Sequence, residues 1–448
     1  MVIAKNVGKI SRYFLKIRNR KSYFSLKHTI EKLLRRIPYV GVGIAHVLQF
    51  FKTLMRRLVT NSNMFEQLGI RYFGPADGND LETVELLLEE AKRHNGPCFV
   101  HLCTVKGKGY APAEENPSSY HSVSGVSSLS NKYDKMSGTL GKKLSQMADS
   151  DRRVCAITAA MGDGVGLCEF EKNHADRYFD VGIAEEHALT FAAALSAAGY
   201  LPCVALYSTF FQRAYDQYIH DVALQNLRII LALDRAGFVG EDGPTHHGVF
   251  DVSMLLNVPN TQIFSPICAS ELEKCLDIAA ESECSTVVRY PKIIRSDICR
   301  NKFNPAAEDE LYIPYGHADV LIVTYGSLTA NSVEACELLY EKGIYSAVYR
   351  VAKLKPFDVS SFKAMLDKTA PGFIYVLEEG MKVGGFGEYL SSVVDGYHFY
   401  IKAIEDEFVT FGNTEQLYEK YGFSAMKVAE NIIEMSKNVS YESRSAII

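Results

Sequence analysis

Two acids, Glu185 and Glu186, stand between an apolar strand-like stretch, residues 178–183, and an alanine-rich helical run, residues 188–198, that Gly199 closes. Acids in a first helical turn are common and mean little alone. A carboxyl group where an apolar strand meets a helix is nevertheless suited to a proton shared with a buried ligand. Aromatic and cationic groups follow in YSTFFQRAYDQ, which supplies Tyr207, Phe210 and Arg213. Arg235 comes directly after the apolar run LALD, and Arg289 lies inside VVRY. Guanidinium forks in such places match phosphate oxygens. Asp242 and His246 sit four residues apart in the glycine- and proline-containing loop GEDGPTHHG, a pairing that suits proton transfer to and from a bound substrate. His247 follows directly, and adjacent histidines seldom face one ligand, so the two are not read as a metal pair.

These residues need a frame that brings strand ends together. Strand-like segments recur at 154–158, 178–183, 201–206, 227–233, 261–265 and 286–290, with helices expected between them. That alternation predicts an α/β domain with a parallel sheet covered by helices on both faces. Tyr207, Arg213 and Arg235 then fall where strand ends meet the following elements, the usual place for ligands in parallel sheets. A third region is expected to have strands at 320–325, 346–351 and 372–378 and helices at 331–341 and 387–393. Ahead of the central domain, a helix at 80–92 and a strand at 98–105 form one αβ unit, followed by a serine-rich linker at 122–130. The expected organisation is a basic helical segment (1–64), an αβ remnant with linker (65–130), a central α/β domain (131–300) and a C-terminal α/β domain (314–448).

Composition is that of an ordinary globular protein, and 448 residues suffice for two or three domains. Ten cysteines show neither a CxxC pair nor metal-ligand spacing, and read as thiols of a reducing compartment. The apolar run 37–51 is bounded by Arg36 and Lys52 and is shorter than the ~20 residues a bilayer span requires. Residues 1–64 hold fourteen Lys and Arg against one acid, Glu31, a net +13 in a chain of net −5. A transit peptide, a membrane-surface helix, a nucleic-acid arm and a solvated linker all fit such a start, and the linker is favoured.

The blocks RYFDVGIAEEHALTFAAALSAAGYLPCVALYSTFFQRAYDQYIHDVALQ, LALDRAGFVGEDGPTHHGVFD and VVRYPK, with FEQLG, YFGPADGND and KGKGYAPAE, closely resemble the 1-deoxy-D-xylulose-5-phosphate synthase family of the transketolase superfamily. The resemblance runs from about residue 1 to the C-terminus. The basic start, with KNVGK, resembles a segment beside the family's active site, which argues against a transit peptide. The resemblance implies a transketolase-type fold and a thiamine-diphosphate enzyme that condenses pyruvate with glyceraldehyde 3-phosphate and releases CO2. The product would feed isoprenoid, thiamine and pyridoxal pathways. A cytoplasmic protein without nucleic-acid or membrane partners is implied. Glu185 would be the carboxyl that hydrogen-bonds N1′ of the aminopyrimidine, and Phe210 would stack on that ring. Tyr207, Arg213, Arg235 and Arg289 would bind substrate, with the triose phosphate on Arg235 and Arg289. Asp242 and His246 would move protons, and His121, in SSYHSV, would reach the reactive centre from the first domain.

The family binds its Mg2+ through a GDG motif followed by an asparagine. Gly162-Asp163-Gly164 imitates that motif, but the following stretch holds only Asn173 before the Glu185 block, so no metal site is expected there. The family's own motif would lie ahead of everything here, together with one substrate histidine. The expectation is a chain lacking most of the diphosphate-binding domain, with only the pyrimidine half of the cofactor site. It would act as an incomplete or split synthase, in a homodimer or with a separate N-terminal half. The alternatives are a non-catalytic paralogue that binds a complete synthase and a subunit of a split transketolase.

Overall fold

The computed structural model describes residues 64–115, 117, 120, 133–295 and 297–445. His121 and the basic segment before Met64 lie outside the described residues. The chain divides between Val126 and Ser127 into two units.

In the first unit, strand β1 (Arg71–Asp77) pairs in parallel with β2 (Cys98–Cys103), and the helix Leu81–Lys92 makes the crossover. Asp80 starts that helix as an N-cap. Its carboxylate accepts from the Glu82 amide at 3.2 Å and from the Thr83 hydroxyl at 2.6 Å. None of the six residues of β2 is buried, an unusual state for a parallel strand.

The second unit is built on two large sheets and a two-stranded ladder. Entering them in chain order are β3 (Tyr133–Lys135), β4 (Val154–Thr158), β5 (Tyr178–Asp180), β6 (Leu201–Tyr207) and β7 (Ile230–Asp234), then β8 (Thr261–Phe264), β9 (Ser285–Tyr290) and β10 (Ile293–Arg295). The order β14-β8-β9-β7-β6-β4-β5 forms the seven-stranded sheet, where β14 is Lys353–Lys355. Six of the seven strands are mutually parallel, and β14 joins β8 antiparallel. The runs VCAIT, ILALD and STVVRY are buried at every position. Continuous apolar runs of this kind fit a sheet covered on both faces. A short β3–β10 ladder pairs beside it. The second sheet, of five strands, runs β11 (Glu310–Tyr312), β13 (Ser346–Arg350), β12 (Val320–Thr324), β15 (Phe373–Met381) and β16 (Phe399–Ile404).

Two features depart from the sequence expectation. The segment after β6 is no regular helix: a 3-10 turn, Ser208–Ala214, passes through one short turn into a π-helical stretch, Tyr218–Ala223. Such windings recur at functional sites. The second is β14, three residues of the C-terminal region lying on the edge of the central sheet. Only Leu354 within it is buried, too short a pattern for sequence to signal.

The junction of the two sheets holds a buried ion pair. Arg350 of β13 and Glu271 of the helix Ala269–Glu281 are both fully buried, with Nη1 to Oε1 at 2.6 Å. The second Glu271 oxygen accepts from the Ile267 amide at 2.7 Å, and Arg350 Nη2 donates to the carbonyls of Glu308 and Asn304.

Candidate active site

Register places the site. Tyr207 of β6 lies opposite Asp234 of β7, which lies opposite Tyr290 of β9. The carboxyl ends of three adjacent parallel strands therefore open on one side, where ligands bind in such sheets.

Glu185 is the first residue of the helix Glu185–Ala197 and is only 2% exposed. Arg213 Nε stands 3.2 Å from its Oε2, without the alignment of a hydrogen bond. That buried oxygen therefore has no hydrogen-bond partner among the described residues. A buried carboxylate oxygen without a hydrogen-bond donor is costly and calls for an explanation. Arg213, about half exposed, also faces Glu186 at 3.7 Å.

An aromatic cluster stands at the same strand ends. Phe210 stacks on Tyr207 (centroids 5.9 Å, 21° between planes) and meets the His246 ring edge-on at 5.3 Å. The Arg235 guanidinium lies 3.6 Å from the Tyr207 centroid, a cation–π contact. Arg235 is itself buried, and its Nη1 donates to the Gly164 carbonyl at 3.0 Å and lies 3.4 Å from the Asp234 carboxylate, while Nε has no hydrogen-bond partner among the described residues. Its backbone is left-handed, φ +61°, a conformation that costs a non-glycine residue energy and that binding loops often carry. A cleft of about 450 Å³ opens beside the cluster, with Phe210, Arg213, Thr245 and His247 in its wall.

Asp242 ends the short turn Gly240–Asp242 and is exposed. His246 is half-buried, with Nδ1 2.9 Å from the Thr245 hydroxyl. His247 turns away from it: Nδ1 accepts from the Val239 amide at 3.2 Å and Nε2 reaches the Thr410 carbonyl at 3.1 Å. Burial lowers the His247 pKa, consistent with a neutral ring that donates from Nε2.

The structure thus brings Tyr207, Phe210, Arg235 and His246 into direct contact, and Glu185 together with Arg213. Arg289 stands apart. Its Nε and Nη2 donate to the Asp251 carboxylate at 2.8 and 3.3 Å, and Nη1 reaches Ser265 at 3.3 Å. The Gly162-Asp163-Gly164 turn is packed against this site. A Cβ on Gly164 would meet the Tyr207 hydroxyl at 1.9 Å, and one on Gly162 would meet that of Tyr178 at 2.3 Å. Gly164, Asp234 and Glu379 pack beside these residues without having been sequence candidates for the site. Asp234 could have been suspected as the last residue of LALD, but nothing near Glu379 in sequence pointed to the site.

Several buried carboxyl groups are displaced upward, three of them by enough to matter near neutral pH. Burial pushes Asp234 up to about 6 and both Glu378 and Glu379 up to about 7. In the unfolded chain they would titrate near 4. Folding then takes up protons, so their contribution is fully present below about pH 4 and is lost as pH rises through 6 to 7. Glu379→Gln should therefore gain stability relative to wild type between pH 5 and pH 8. Each tenfold of raised proton affinity is worth about 1.4 kcal/mol. Paired urea denaturation series at the two pH values would measure it, and a constant difference between the proteins would refute it.

Comparison with known proteins matches residues 1–104 to the 1-deoxy-D-xylulose-5-phosphate synthase family, 135–295 to the transketolase pyrimidine-binding domain and 312–428 to the transketolase C-terminal domain. The 1-deoxy-D-xylulose-5-phosphate synthase of Caldanaerobacter subterraneus subsp. tengcongensis is 37% identical over 98% of this chain and 72% of its own. That of Clostridium acetobutylicum is 38% identical over 97% and 71%. A solved split-gene transketolase, described as an inactive β4 tetramer, is 25% identical with a TM-score of 0.58, covering 67% of this chain and 98% of its own. The transketolase of Campylobacter jejuni, 17% identical, shares the fold at the same TM-score over 85% and 70%. No helix among the described residues is long and apolar enough to cross a membrane.

Proposed function

The chain belongs to the 1-deoxy-D-xylulose-5-phosphate synthase family, and on that premise we propose that it carries the pyrimidine side of a thiamine-diphosphate site that joins pyruvate to glyceraldehyde 3-phosphate with loss of CO2. The observation that carries this reading is the buried Glu185 oxygen without a donor, beside an aromatic cluster that a flat heterocycle could extend.

The residues present fit the pyrimidine half of that cofactor. Glu185 would hydrogen-bond the pyrimidine N1′ and Phe210 would offer its face to the ring. When bound, thiamine diphosphate supplies the carbon nucleophile and the electron sink that a decarboxylative condensation requires. The protein's own groups do the rest. His246 and Asp242 hold and move protons at the aldehyde oxygen and the new hydroxyls, with His121 as a further proton donor. Tyr207, Arg213 and Arg235 bind and orient the substrates. Arg235 takes the triose phosphate with its guanidinium, which the stacked Tyr207 holds in place. Arg289 would reach a phosphate only by releasing Asp251.

The Gly162–Gly164 turn is filled by Tyr178, Tyr207 and Arg235, so the Mg2+–diphosphate clamp is assigned to polypeptide other than the described residues. A partner N-terminal half would supply it, since a second copy only repeats the same residues, with the chain ordered as residues 1–64, 65–130, 131–300 and 314–448. The wider setting follows the family: a cytoplasmic enzyme whose product serves isoprenoid, thiamine and pyridoxal synthesis. The similarity to a split-gene transketolase supports the two-chain arrangement.

Arg235→Ala should raise KM for glyceraldehyde 3-phosphate about ten- to a hundredfold, the worth of a charge-assisted hydrogen bond. KM for pyruvate should change much less. Steady-state kinetics of this chain, supplemented with the diphosphate-binding half of a related synthase, would test it. Equal losses for both substrates would remove Arg235 from the phosphate site.

A further inference from the structure

The loop from Arg235 to Gly248 carries Arg235 at one stem and His246 near the other. Its two stems are tied to each other: Gly237 and Gly248 exchange amide-to-carbonyl hydrogen bonds, each 2.8 Å. It is also tied twice to the C-terminal region. Glu379, at the carboxyl end of β15, is buried and its Oε1 accepts from the Phe238 amide at 2.7 Å. His247 spans from the Val239 amide to the Thr410 carbonyl.

The contact at Glu379 is close as well as polar. Gly237 has φ +80°, and a Cβ there would come within 2.5 Å of the Glu379 carboxyl carbon. The carboxylate thus lies flat against a glycine that leaves room for it, two residues from the left-handed Arg235. Between them the Ala236 amide is fixed to the Tyr290 carbonyl at 3.0 Å. Nothing in the reaction uses Glu379 directly, yet a carboxyl group is buried there, at the cost of its desolvation.

We propose that Glu379 is a positioning residue, which locks the Gly237–Phe238 backbone and thereby holds Arg235 over Tyr207 in the geometry that receives the substrate phosphate. The C-terminal region is then part of the anion site although none of its atoms touches the anion. His247 is the second fastening of the same loop, on the His246 side. This inference rests on the reading of Arg235 as the phosphate ligand.

The test uses the full chain, inorganic phosphate as the probe and amide hydrogen exchange as a second readout. Glu379→Ala should speed exchange at the Phe238 amide at least about tenfold and weaken phosphate binding by about tenfold, the worth of one buried hydrogen bond. Glu379→Gln retains the Oε1 acceptor and should keep both within about threefold. Should the alanine variant fail to fold, Glu379→Asp keeps a carboxylate but shortens its reach, and should show the same two changes. Unaltered Phe238 exchange in the alanine or aspartate variant would overturn the lock. Faster exchange with unaltered phosphate affinity would overturn its link to Arg235. Arg235→Ala is the separate control. If it leaves phosphate affinity intact, the anion-site reading itself falls and the positioning role falls with it. If it abolishes affinity while the Glu379 variants do not alter it, only the present inference fails.

Discussion

Replacing Glu185 with Gln is expected to cost about a hundred- to ten-thousandfold in turnover of the assembled enzyme, the range removed with a positioned acid–base group. The reason is local. Glutamine fills the same volume at the head of the helix Glu185–Ala197, so the fold should survive. What it cannot do is share a proton with a pyrimidine nitrogen from a carboxyl oxygen that no side chain or backbone amide of the described residues satisfies. Arg213 lies 3.2 Å from that oxygen and is about half exposed, so it can withdraw when a ligand arrives. The measurement is the rate of CO2 release from pyruvate with glyceraldehyde 3-phosphate present, in wild type and variant, with circular dichroism to confirm equal folding. A non-catalytic paralogue would be indifferent to the change. A loss of less than threefold would therefore take Glu185 out of the reaction.

Arg350→Ala should cost about 3–5 kcal/mol of stability. It would strand Glu271, a fully buried carboxylate, without its cation. Burial already displaces Glu271 upward against the opposing pull of Arg350, so the pair is held by mutual charge and the surrounding amides. The asymmetry is what identifies the mechanism. The double variant Arg350→Met/Glu271→Leu removes both charges and should recover most of the loss, because paired buried charges often contribute little beyond satisfying each other. Urea denaturation of the three proteins measures this directly. A double variant no better than Arg350→Ala would mean that the arginine acts through packing alone.

The central sheet was legible because its strands are unbroken apolar runs separated by helices. Segments 154–158 and 286–290 were placed within a residue of their observed ends. The strand-to-helix junction around Glu185 was legible for the same reason, since it has a sequence signature. The winding after Tyr207 was not, because STFFQRAYDQYIHDVA satisfies a helical pattern and only packing decides between α, 3-10 and π turns. Lys353–Lys355 was missed because its partner, Thr261–Phe264, lies some ninety residues away and its pattern spans one buried side chain. Glu379 was invisible for a related reason: its contact with Phe238 bridges 141 residues. The partner of Arg289 was equally illegible. Its guanidinium closes on Asp251, 38 residues away in sequence.

The most direct test of the pyrimidine-site assignment is cofactor uptake followed by product analysis. The chain is mixed with a diphosphate-binding half of a related synthase, thiamine diphosphate and Mg2+, then given pyruvate and glyceraldehyde 3-phosphate. The expected result is stoichiometric retention of thiamine diphosphate and formation of 1-deoxy-D-xylulose 5-phosphate, with both lost or sharply reduced in Glu185→Gln. Absence of cofactor retention and of product in the wild-type mixture, with both halves folded, would contradict the assignment.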